Sequence, residues 1–123
     1  IDMENNRAWG EERYRNVGLE AVYPLWHHDR QENVREVLEL GYRCLIKTLD
    51  RRVLPRHLLG RVMDRAMVEE MTACGVDVCG ENGEFHTIAV DGPVFHRPIP
   101  YCVRQLLDLG DYSVADITVP EKE

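Results

Sequence analysis

The chain has 123 residues, a length that suits one compact domain with a modest core. Its 44% hydrophobic content fits a soluble globular protein, and a net charge of −7 argues against a binder of nucleic-acid phosphates, whose footprint is basic. No apolar run approaches the roughly 20 residues of a membrane span, and the polar opening from Asp2 to Asn6 is no signal peptide. Cys44, Cys74, Cys79 and Cys102 read as reduced, buried, small hydrophobes. The chain starts at Ile1 with a helix-like stretch and no strand before it, which reads as an excerpt of a longer protein.

Residues 4–16 predict a helix with Trp9, Tyr14 and Val17 as apolar contacts and Gly18 as its stop. Leu19 to Trp26 predicts a short strand with Pro24 near its end, giving an α/β rhythm. Asp29 and Glu32 have capping-box spacing, and Val34, Val37 and Leu38 form one apolar face of a helix that Gly41 ends. Tyr42 to Leu49 predicts a strand. Pro55 and Gly60 interrupt the next stretch, where a short helix around Arg56–Leu59 fits. Asp64 caps a helix from Arg65 to Thr72 with Met67, Val68 and Met71 inward, stopped by Gly75. A turn-rich loop spans 79–84, and Phe85 to Val90 predicts a strand. Asp91-Gly92-Pro93 punctuates. Val94-Phe95 predicts a further extended segment kept short by Pro98 and Pro100, and Tyr112 to Ile117 a last one before a charged tail.

The stretch Gly80-Glu81-Asn82-Gly83-Glu84-Phe85-His86-Thr87 concentrates chemistry: two carboxylates, an amide, an imidazole and a hydroxyl beside two glycines that let backbone approach a ligand. Strand alternation sends Glu84, His86 and Ile88 to one face and Phe85, Thr87 and Ala89 to the other. The competing reading is a solvated turn feeding an edge strand. Trp26-His27-His28-Asp29 offers a second candidate at a strand end, but neighbouring strand residues diverge and Asp29 has a cap to make. Cys74, Cys79, His86 and His96 have no recognised zinc spacing. Arg51, Arg52, Arg56 and His57 read as a solvated basic face.

Gly75 to Thr87, followed by Val90-Asp91-Gly92-Pro93-Val94-Phe95, resembles the "GENGE(F/Y)HT … DGP(I/L)F" signature of the diphthine–ammonia ligase family. Tyr23-Pro24-Leu25-Trp26, Leu59-Gly60-Arg61 with Asp64, and Tyr112 to Asp116 are similar to shorter elements in family order. The resemblance implies a small α+β C-terminal domain with a mixed sheet and flanking helices, attached to an "SGGKDS"-type PP-loop nucleotide-binding α/β domain. Residues 1–18 would then be the last helix of that nucleotide domain and 19–123 the substrate-side domain. It implies an ATP-dependent amide-forming ligase that joins ammonium to the diphthine of elongation factor 2 in eukaryotes or archaea, releasing AMP and pyrophosphate. ATP, with Mg as a candidate companion, would sit on the nucleotide domain, so this chain alone would be inactive. The implied setting is cytoplasmic, without nucleic acid or membrane, and a homodimer is a candidate assembly. A bacterial relative would act on another carboxylate. A non-catalytic binding module and an assembly domain are the alternatives from other classes. His27-His28 departs from the pair usual after "PLW".

For a diphthine substrate, Glu84 and His86 are the expected catalytic groups, His86 as a base toward ammonium. Glu81 and Glu84 supply negative potential for a cation, and Trp26 or Phe85 an aromatic wall. Asn82 and Thr87 orient the carboxyl group, and Gly80 and Gly83 shape the loop. No metal ligand set is assigned.

Overall fold

Two aspartates begin the two helices that line the core. Asp29 accepts the N–H of Glu32 at 2.8 Å and opens α2 (Arg30–Glu39), after α1 (Glu4–Asn16). Asp64 accepts the N–H of Met67 at 2.8 Å and opens α3 (Arg65–Ala73). Such caps satisfy amides that the first turn leaves without partners. At the other ends, Tyr42 N–H donates to Val37 and Val76 N–H to Met71, the Schellman closure that Gly41 and Gly75 permit. The computed structural model describes residues 2–121; Ile1, and Lys122 and Glu123 of the charged tail, lie outside the described residues.

The strands are β1 (Arg43–Asp50), β2 (Phe85–Asp91), β3 (Cys102–Leu109) and β4 (Tyr112–Thr118), with a 3₁₀ turn at Arg56–Leu58. Their order in the sheet is β2-β1-β4-β3, and the chain forms the expected small α+β domain. Every pairing is antiparallel, where a mixed sheet was expected. Val34 of α2 and Met67 and Met71 of α3 pack with Leu54, Leu58, Leu59, Met63 and Val78 onto Ile46, Leu49, Phe85 and Ala115 of the sheet. Leu45, next to Ile46 and so directed to the opposite face, is also fully buried.

Other sequence expectations also need correcting. Leu19 to Trp26 is no strand: Val22 is 75% and Leu19 61% exposed, and turns at Tyr23–Trp26 and Leu25–His28 replace any ladder. Val94-Phe95 lies in a turn closed by Phe95 N–H on Gly92, because Pro93 cannot donate to a ladder. Residues 102–109, for which no element was expected, form β3, which a two-residue Gly110-Asp111 turn folds back onto β4. Of the cysteines, all free, Cys44 and Cys79 are half-buried, whereas Cys74 and Cys102 are exposed, not buried. No helix among the described residues is long and apolar enough to cross a membrane.

Candidate functional site

The loop between α3 and β2 is built around two carboxylates that turn inward. Asp77, whose side chain is 8% exposed, accepts the N–H groups of Cys79 and Glu81, both at 3.0 Å, and the guanidinium of Arg30. Glu84 accepts the N–H of Asn82 at 3.1 Å, its side-chain amide at 3.3 Å and the N–H of Asp77 at 3.4 Å. Gly80 stands at φ 67°, a left-handed value that costs a side-chain-bearing residue. A Cβ there would also come within 3.0 Å of the Phe85 carbonyl oxygen and 3.2 Å of its ring. Gly83 closes a second turn on Gly80 at 3.2 Å. The bend is thus held from within by its own amides.

Two hollows meet at this bend. One, of about 280 Å³, lies between α2 and the Phe85–Thr87 face of β2; its apolar walls include Val34, Leu38 and Val78, and its polar groups include Glu81, Thr87 and Asn33. The other, of about 340 Å³, lies between α1 and the segment from Val22 to Trp26, and Asn6 and Arg7 line it. Glu81 and Leu25 border both. In the second hollow the Arg7 guanidinium sits 4.7 Å from the Trp26 ring centre and 5.5 Å from that of Tyr23, while its Nε donates to Glu11 at 2.8 Å. A cation already lies over those aromatic faces.

Of the residues singled out from sequence, the structure gathers Glu81, Thr87 and Trp26 at the hollows, with Phe85 as a buried wall of the first. Gly80, Gly83 and Asn82 shape the bend, Asn82 by donating to Glu84. The Glu84 carboxylate is engaged with loop amides. His86 is exposed, pairs with Thr48 in the sheet and lines neither hollow. Glu84 and His86 thus share no mouth with Glu81. Asp77 and Arg30 were not singled out; the Asx-turn spacing of Asp77 to Cys79 was the available signal.

The other constellations are used structurally. Trp26-His27-His28-Asp29 forms a turn in which His27 takes φ 60°, His28 meets Asn33 and Asp29 caps α2. Among the described residues no three His, Cys, Asp or Glu side chains come together as a metal site. The basic face is engaged: Arg52 pairs with Asp50 at 2.8 Å and Asp111 at 3.2 Å, Arg56 with Asp108 at 2.9 Å, and the His57 ring meets the Glu70 carboxylate at 2.7 Å. Cys79 borders the first hollow and donates to the Arg30 carbonyl at 3.3 Å. Burial, reinforced by the charges of Asp77 and Glu81, pushes its thiol up to about 11, which keeps it protonated and a poor nucleophile at neutral pH.

Comparison with known proteins agrees with the motif. The family model for the diphthamide synthase C-terminal domain matches residues 29–105, a span that holds both helix caps, the Asp77 bend and β2. The diphthine–ammonia ligases of Homo sapiens and Mus musculus are each 28% identical to this chain over 89 residues, and that of Bos taurus is 27% identical over the same length. Each match covers 69% of this chain and 33% of the relative, so the chain spans about a third of the length of the curated relatives it matches. α1 and the wall from Val22 to Trp26 lie outside the family span, whereas Glu81 lies inside it. With the signature loop folded as one braced unit and more than half the residues matched, the chain belongs to the diphthamide synthase C-terminal domain family.

Proposed function

We propose that the chain is the substrate-side part of an ATP-dependent ligase that amidates diphthine on elongation factor 2. The relatives' name supplies diphthine and ammonia as reactants. In this reading ATP activates the carboxyl group as an acyl adenylate with loss of pyrophosphate. Ammonia then attacks the acyl carbon and AMP leaves. ATP, with Mg as its companion, belongs to a nucleotide-binding PP-loop part. Residues 1–18 read as the last helix of that part and the rest as the substrate domain. Two features of α1 support this division: only Gly10 of it is buried, and Trp9 stays 62% exposed.

The observation that carries the proposal is the position of Glu81 at the common border of two hollows. A carboxylate there suits the quaternary ammonium end of a diphthine side chain and Thr87 its carboxyl end, while Trp26, whose face Arg7 covers, serves as a wall of the second hollow. Glu84 acts in this scheme by holding the bend through Asn82. His86 serves as a base only for a substrate reached from the opposite face of β2. The test uses the complete gene product and follows AMP formation on diphthine-bearing elongation factor 2 with ammonium. Glu81→Gln lowers kcat/KM by about 10- to 100-fold, the range for a lost charge-assisted contact. Turnover by the wild type on a different carboxylate, with none on diphthine, sinks the substrate assignment; an unchanged Glu81→Gln sinks the site.

A further inference from the structure

We propose that Asp77, braced by Arg30, is a positioning residue that sets where Glu81 stands at the border of the two hollows. This rests on the reading of Glu81 as the substrate contact. Three observations converge on it. Asp77 is nearly buried, yet it meets three donors: the N–H groups of Cys79 and Glu81 and the guanidinium of Arg30. One carboxylate thereby fixes the backbone on both sides of Gly80, at the point where the chain turns to present Glu81.

Arg30, for its part, is misplaced by local rules. It is the first residue of α2, where the helix dipole disfavours a cation. The position is understood from its partners: it binds Asp77 with one nitrogen and Asp2 with another, and its carbonyl accepts the Cys79 thiol. The same guanidinium therefore clips the segment before α1 to the bend. Met3, Asn6 and Arg7 of that region line the second hollow, so this clip ties its α1 side to the bend that carries Glu81. Glu84 secures the other end of the bend through the N–H of Asn82 and also accepts the N–H of Asp77 itself. The Asp77 carboxylate holds the amides of Cys79 and Glu81, and the Glu84 carboxylate those of Asn82 and Asp77.

Amide hydrogen exchange on this chain reads the local effect without any assumption about the reaction. Asp77→Asn speeds exchange at the Cys79 and Glu81 amides by about tenfold or more and leaves the amides of Ile46 and Met63, bonded to Arg61 and Cys44 across the core, within about twofold. Arg30→Gln, which spares the carboxylate, gives a smaller acceleration at the same two amides and covers the case in which Asp77→Asn fails to fold. Unchanged protection at both amides in either folded variant overturns the proposal. The second arm uses the complete gene product. Asp77→Asn raises KM for the diphthine-bearing protein as Glu81→Gln does, and the double variant is no worse than Glu81→Gln alone, because both changes remove one contact. Effects that multiply overturn the proposal. A wild type without turnover ends the ligase reading instead, while exchange still decides the role of Asp77.

Discussion

At the scale of single residues, the bend is a case where shape and charge come from different side chains. Gly80 permits the turn, and its left-handed φ of 67° together with the 3.0 Å approach to Phe85 predicts a measurable cost for any Cβ. Gly80→Ala should lose about 1–3 kcal/mol in denaturant unfolding, combining backbone strain with a crowded ring. Cys79 offers a second check. Its half-buried, protonated thiol should label slowly at pH 8, while exposed Cys74 and Cys102 label first. Mass spectrometry after brief alkylation separates the three, and equal rates in the folded chain contradict the burial of Cys79. Alternation along β2 made the shared face of Phe85 and Thr87 legible in advance. The consumption of Glu84 by its own loop was not, because it depends on the fold of the bend around Asp77.

Among elements, α2 and α3 were readable because each carries a start, a face and a stop within a dozen residues. Asp29 and Asp64 cap, apolar residues recur at helical spacing, and Gly41 and Gly75 close. Asp29→Ala and Asp64→Ala should each cost about 1 kcal/mol of unfolding free energy, read from the shift in denaturant midpoint. The strands were harder. Leu19 to Trp26 has the apolar content of a strand but no neighbour to pair with, and in the folded chain it stays exposed as turns. β3 shows the reverse failure: a register shift between Val103 and Gln105 breaks its alternation, and most of the strand is exposed, so its residues lack a clean period-two pattern. Its existence rests on pairing with β4, a tertiary fact.

For the molecule as a whole, Asp50 and Asp108 contribute acid sensitivity. The side chain and backbone N–H of Arg52 hold Asp50 below its ordinary carboxylate range, and the Ser113 hydroxyl, 2.6 Å away, followed by Arg56, does the same for Asp108. A carboxyl group with a depressed folded-state pKa stabilises fully above its unfolded value, about 3.9, and that stabilisation is lost as pH falls through the folded value. Thermal melts should therefore weaken below about pH 4, and Asp108→Asn should flatten that acid limb while lowering stability at pH 7. A melt curve that rises on acidification would contradict the assignment.

The strand order also dictates a sequence of events in time. β3 and β4 are joined by two residues, so their ribbon closes with little entropy loss, whereas seating β1 against β4 requires a loop enclosing about half of the chain. The ribbon should form early on the way to the native state, and the β1–β4 seam late. Gly110→Ala, in the connecting turn, should then slow refolding, while Leu49→Ala, buried at the seam opposite Ser113, should chiefly hasten unfolding. The last seam to close is the first to part.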